Sequence, residues 1–120
     1  MANVLIVDDD TDLLHTLADA FILFGHAVTT SVNGREALAF FKQTPFDIAI
    51  VDVEMPELNG LELTREIKLM NPDFPIILIT AYSHLYRPQE VLSLNVEAFL
   101  KKPLNIQELV EIVEKVLEQK

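Results

Sequence analysis

Cysteine is absent from the 120 residues, which excludes disulfides, thiolate metal sites and thiol catalysis and suits a reducing compartment. Basic residues are scarce: 9 Lys and Arg stand against 19 Asp and Glu, a formal net charge of −10. Such a balance repels nucleic-acid phosphates and anionic membranes, so neither direct DNA binding by this domain nor a membrane partner is expected. No stretch approaches the roughly 20 apolar residues of a membrane span. The first apolar run, Val4 to Val7, is cut off by Asp8, Asp9 and Asp10. It therefore lacks the basic start and the roughly 7–15 residue apolar segment of a secretion signal. A cytoplasmic location is the expectation. Repeats, linkers and low-complexity tracts are also missing.

What is there suffices for one compact domain. Half of the residues are hydrophobic and 23% are charged, enough apolar surface to build a core at this length without a disulfide or structural metal. Short runs dense in β-branched residues recur at Val4–Val7, Ala27–Val32, Ile48–Val51, Ile76–Ile79 and Ala98–Leu100. Three of them are apolar throughout, as strands covered on both faces are.

Helical patterns fill the gaps. Leu13, Leu14, Leu17 and Phe21 share one face of a first helix, which Gly25 can end in the left-handed conformation. Asn33 with Glu36, Asn59 with Glu62 and Asn105 with Glu108 each set a capping side chain three residues ahead of a Glu, predicting three more helix starts. A shorter helix is predicted from Pro88, tolerated at a first helical position, to about Leu94. Strand and helix thus alternate five times, which calls for an α/β fold with a parallel sheet and right-handed crossovers.

In open parallel sheets, ligands gather beyond the carboxyl ends of the strands. The residues found there are Asp8 and Asp9, Asp52, Thr80, and Lys101 and Lys102. Three carboxylates converging on one crevice repel one another unless a cation joins them, and hard oxygen ligands favour Mg²⁺. Mg²⁺ needs only one or two carboxylates, which leaves Asp52 as a candidate nucleophile toward phosphorus. A hydroxyl at Thr80 can bond a phosphoryl oxygen, and a Lys ammonium can neutralise the added charge.

Taken singly, each residue has a plainer reading. An acidic pair after a strand can complement a helix N-terminus, a lone Asp can form a turn, and a Thr after Ile-Ile-Leu-Ile can simply favour the strand. Their joint occurrence at strand ends is the stronger signal. His15, His26 and His84 lie away from this cluster, without a triad-like order of Ser or Asp partners.

From Val4 to the final helix the chain closely resembles response-regulator receiver domains of two-component signalling. The matching pieces are Leu5-Ile6-Val7-Asp8-Asp9-Asp10, Val51-Asp52-Val53-Glu54-Met55-Pro56 closing on Asn59-Gly60, Ile79-Thr80-Ala81, and Phe99-Leu100-Lys101-Lys102-Pro103. The intervals from Asp52 to Thr80 and from Thr80 to Lys102 agree as well. The resemblance implies a single doubly wound (βα)5 domain over residues 1–120, flavodoxin-like, with helices on both faces of a sheet ordered 2-1-3-4-5, and no effector domain in this chain. It makes Asp8 and Asp9 the acidic pair for Mg²⁺, with Asp52 and the backbone carbonyl of Glu54 completing the metal site. It makes Asp52 the phosphoacceptor, Thr80 the switch hydroxyl, Lys102 the phosphate-binding lysine and Phe99 the aromatic that turns inward with the threonine. The side chains of Glu54 and Tyr82 would flank the phosphoryl site, and Lys102-Pro103 would be cis.

The implied function is a phosphorylation-dependent switch. A sensor histidine kinase or histidine phosphotransfer protein donates the phosphoryl group, and the face of the fourth helix, fifth strand and fifth helix changes to control an output or to form a homodimer. The domain would catalyse only its own phosphorylation and dephosphorylation. Two rivals stand beside this. Asp8-Asp9-Asp10-Thr11 contains the Asp-x-Asp of haloacid-dehalogenase-type Mg-dependent phosphatases, with Asp8 as nucleophile, but Asp12 stands where that motif wants Thr or Val, and the length leaves no room for a cap. A phosphorylation-independent receiver-like binding module would usually lack one of the site residues, and here none is missing.

Overall fold

The computed structural model describes residues 1–119. Five strands, β1 (Asn3–Val7), β2 (Ala27–Ser31), β3 (Ile48–Asp52), β4 (Ile76–Thr80) and β5 (Ala98–Lys101), alternate with five helices. These are α1 (Thr11–Leu23), α2 (Gly34–Gln43), α3 (Gly60–Met70), α4 (Pro88–Leu92) and α5 (Ile106–Glu118), with a 3₁₀ turn at Ser83–Leu85 ahead of α4. All neighbouring strands pair in parallel, in the order β2-β1-β3-β4-β5.

The continuous apolar strands are explained by two buried layers. Val4, Ile6, Ile48, Ile50, Ile77 and Ile79 face α1 and α5, where Leu17, Phe21, Leu109 and Val113 meet them. Leu5, Val7, Ala49, Val51, Ile76 and Leu78 face the other way, onto Ala37 of α2 and Leu63 and Ile67 of α3. Strict alternation along each strand divides the side chains between the layers, and each fully buried aliphatic side chain contributes about 1.5–3 kcal/mol. The edge strand β2, covered less completely, carries the polar Thr29 and Thr30.

The expected caps are present. Asn33, Asn59 and Asn105 accept from the backbone N–H of Glu36, Glu62 and Glu108, and Asn59 with Glu62 forms a reciprocal capping box. Asp10 caps α1 by accepting from the N–H groups of Asp12 and Leu13. Gly25 turns out of α1 at φ 89°, and Asn95 takes the left-handed conformation at φ 56° after α4. Helix α4 is shorter than its sequence pattern predicts, because past Leu92 the chain tightens into turns in which the Leu94 and Asn95 N–H groups donate to the Val91 and Leu92 carbonyls. His26 ties the N-terminus to α5: its Nδ1 accepts from the Ala2 N–H, and its Nε2 faces Glu114 Oε1 at 2.5 Å. Among the described residues no helix is long and apolar enough to cross a membrane.

Candidate functional site

The strand order reverses direction between β1 and β3, so the chain departs from this point to both sides and leaves a crevice at the carboxyl ends. Asp8 and Asp9 follow β1, Asp52 and Thr80 close β3 and β4, and Lys102 follows β5. Register brings them level: Val7 pairs with Val51, Asp52 with Ile79, and Thr80 with Lys101. Lys102 is held by its N–H donating to the Thr80 carbonyl at 2.8 Å, and the Lys102-Pro103 bond is cis. Gly60 lets α3 approach from beneath, since a Cβ there would lie 2.3 Å from the Asp52 carbonyl oxygen.

Asp8, Asp9 and Asp52 each offer a carboxylate oxygen within 4.8 Å of the others. Asp8 is wholly buried, Asp52 nearly so, and Asp9 is exposed. The Asp8 Oδ1 accepts from the Asp10 N–H at 2.9 Å. Asp8 Oδ2 and Asp52 Oδ1 are buried and have no hydrogen-bond partner. The Lys102 ammonium stands 3.0 Å from the first and 3.5 Å from the second, so both oxygens face the same cation. Burial, and then the neighbouring Asp8 carboxylate, push the Asp52 carboxyl up to about 7, against the pull of Lys102. Burial works to lower the Lys102 pKa, but Asp8 and Asp52 outweigh it and hold the ammonium above its ordinary range. One ammonium set against three carboxylates, two of them buried, leaves an excess of negative charge in the crevice. Hard oxygen donors of this kind fit Mg²⁺, which binds through few carboxylates and keeps several waters.

The other wall of the crevice differs. The Glu54 carboxylate reaches across to β4, where Oε2 accepts from the Thr80 hydroxyl at 2.5 Å and Oε1 from the Ala81 N–H at 3.0 Å. Oε2 also accepts from the Tyr86 hydroxyl at 2.6 Å. The Tyr82 N–H donates to Thr80 Oγ1 at 3.0 Å. Partial burial would raise the Glu54 carboxyl, but the Thr80, Tyr86 and Ala81 donors prevail and hold it below its ordinary range. Burial and the bond to Glu54 push the Tyr86 hydroxyl up to about 12. The Tyr86 ring meets Phe99 edge-on, with centroids 6.0 Å apart. Together with Ser83, Pro88, Val91 and Leu92 they line an apolar groove beside α4.

Asp8, Asp9, Asp52, Glu54, Thr80 and Lys102 thus line or flank one crevice, whereas Phe99 packs on Tyr86 at the groove beside α4 and the Lys101 side chain is exposed. Tyr86 was missed. It lies in an irregular stretch without periodicity, and its only sequence signal is an aromatic ring with a polar handle. Asp10, the second acid that a dehalogenase-type site would draw on, spends its carboxylate capping α1.

A doubly wound sheet with an acidic crevice, a threonine and a lysine at its strand ends defines a class of signalling domain. The chain belongs to the response regulator receiver domain family, whose pattern matches residues 4–114, and it is homologous to two-component response regulators. It is 35% identical over 115 residues to the transcriptional regulatory protein ZraR of Salmonella typhimurium, covering 96% of this chain and 26% of that protein. It is 34% identical to the response regulator SaeR of Staphylococcus aureus, covering 92% of this chain and 48% of that protein. The chain therefore spans about a quarter to a half of these relatives. Among solved structures, the CheY-like receiver domain protein of Methanospirillum hungatei superposes with a TM-score of 0.93 at 28% identity, covering 99% of this chain and 95% of that one. TrrA of Thermotoga maritima, in complex with Mg²⁺ and BeF, gives 0.87 at 35% identity, covering 97% and 99%.

Proposed function

We propose that residues 1–120 form one receiver domain in which Asp52 accepts a phosphoryl group from a phosphohistidine of a sensor histidine kinase or phosphotransfer protein. The observation that carries this reading is the Asp52 carboxylate itself, buried at the switch point with Oδ1 lacking a hydrogen bond and facing Lys102. An Asp52 oxygen forms a bond to phosphorus as the phosphorus–nitrogen bond breaks, and the departing imidazole takes up a proton. Asp8 and Asp9, with Asp52 and the Glu54 backbone carbonyl, would hold Mg²⁺. When bound, the ion supplies positive charge for the phosphoryl oxygens. Lys102 contributes a second cation on the same side, and Thr80 the hydroxyl that meets the added group. TrrA, similar over nearly its whole length, was solved with Mg²⁺ and BeF, which supports a Mg²⁺-dependent site in this family.

Phosphorylation then biases an existing two-state equilibrium in which Thr80 and Phe99 move together. The face of α4, β5 and α5 is the output surface, for a downstream partner or a homodimer. The acidic balance fits an output exerted through protein contacts, the lack of cysteine fits a cytoplasmic setting, and ZraR, a transcriptional regulatory protein, is the kind of larger protein such a domain would control. Incubation with Mg²⁺ and acetyl phosphate should add one phosphoryl group, located on Asp52 by peptide mass spectrometry. Label on Asp8, or none on the wild type, overturns the reading. Asp9→Asn should weaken Mg²⁺ binding by about tenfold, as one charged ligand is lost; unchanged affinity would place the ion elsewhere.

A further inference from the structure

Glu54 gathers three donors onto one carboxylate, and two of them, the Thr80 hydroxyl and the Ala81 N–H, stand at the end of β4 and open on the crevice that holds Asp52. A hydroxyl has a single proton to give. That of Thr80 is committed to Glu54 Oε2, while Thr80 Oγ1 is already accepting from the Tyr82 N–H. A new anion on Asp52 can take this proton only by displacing the carboxylate already there. The third donor, Tyr86, carries the same carboxylate's hold to Phe99 and the groove beside α4.

We propose that the Glu54 carboxylate is a built-in competitor for the phosphoryl group, latching Thr80, Ala81 and Tyr86 together until phosphorylation of Asp52 dislodges it. The latch rests on the reading of Asp52 as phosphoacceptor with Thr80 beside it. Two anions share one set of donors, so each must lose them when the other gains them. Release of Glu54 frees Tyr86 from its charged partner at the same moment as Thr80 turns to the phosphoryl oxygens. One exchange of hydrogen bonds thereby reaches both the phosphorylation site and the aromatic pair at the groove.

Beryllofluoride with saturating Mg²⁺, titrated by calorimetry into wild type, Glu54→Ala and Tyr86→Phe, tests the latch, together with amide spectra of the ligand-free proteins. Glu54→Ala should bind the probe about tenfold more tightly, as the charge-assisted bonds no longer compete. Tyr86→Phe, which keeps the Glu54 charge and removes one donor, should bind it about threefold more tightly. In the ligand-free proteins both variants should shift the Ala81 and Tyr82 amide signals. Tightening in Glu54→Ala with none in Tyr86→Phe would reveal simple repulsion between Glu54 and the probe and overturn the latch. Unchanged or weaker binding in both variants, with a wild type that binds, overturns the latch and leaves the Asp52 reading standing. No binding by any of the three overturns both.

Discussion

The two walls of the crevice treat their carboxylates in opposite ways. On the wall built by β1, β3 and Lys102, buried oxygens of Asp8 and Asp52 have no hydrogen bond and share one ammonium. On the wall built by β4 and the loop after it, Glu54 receives three hydrogen bonds and is pushed below its ordinary pKa, while Asp52 is pushed up to about 7. The same chemical group is thus under-satisfied on one wall and fully hydrogen-bonded on the other. Buried charge short of partners costs far more than exposed charge, so the first wall is the one whose excess negative charge a cation would relieve. The second is already closed on itself, and work must be done to open it.

The largest effect expected is on the first wall. Lys102→Met would leave the Asp8 and Asp52 carboxylates with no counter-charge, a loss of about 3 kcal/mol in stability at pH 8 without divalent ions. Urea unfolding in the presence of a chelator measures it. The loss should shrink toward pH 5, where Asp52 holds its proton. An equal loss at both pH values would mean that Lys102 acts through packing of its stem rather than through charge.

Asp52→Asn should act in the opposite direction. The Asp52 carboxyl takes its proton at about 7 in the folded chain, against an ordinary value of 3.8, so the folded state binds that proton more tightly than the unfolded state. The stability this contributes is fully present below about pH 4 and is lost as pH rises through 7. Replacing the carboxyl by an amide removes that loss. The variant should therefore be more stable than wild type by about 2 kcal/mol at pH 8 without metal, and equal to it near pH 4. Saturating Mg²⁺ should erase the advantage by stabilising only the wild type's full carboxylate set. A variant less stable at pH 8 would show that Lys102 already compensates Asp52 in full.

How much of this contrast could be read from the sequence follows from the range of the contacts. The apolar runs of β1, β3 and β4 announce strands covered on both faces, and Asp8, Asp52 and Thr80 then fall at their ends by position alone. The strand order came only with the family resemblance, because alternation fixes no order. The first wall was therefore legible as a cluster of acids with a lysine. The second was legible only as a threonine. The resemblance placed Glu54 at the site through its backbone carbonyl and as a flanking side chain. Its reach to Thr80 and Tyr86 spans 26 and 32 residues of sequence, with no spacing rule to reveal it. Tyr86 sits between a 3₁₀ turn and α4, where neither periodicity of two nor of 3.6 applies.

The smallest effect is also the sharpest probe of whether the walls are separate. Tyr86→Phe removes one hydrogen bond to a partly exposed carboxylate and should cost about 1 kcal/mol, read by urea unfolding at pH 8. Combined with Glu54→Ala, the costs should fall short of additive by about 1 kcal/mol, since either change alone breaks the same bond. Combined with Asp52→Asn, they should add within about 0.5 kcal/mol, because that pair shares no hydrogen bond. Additivity with Glu54 would mean that the Tyr86 hydroxyl is equally well served by water. Strong coupling to Asp52 in the unphosphorylated protein would mean that the closed wall already responds to charge on the open one, so that the contrast between them is the resting position of a single linked network.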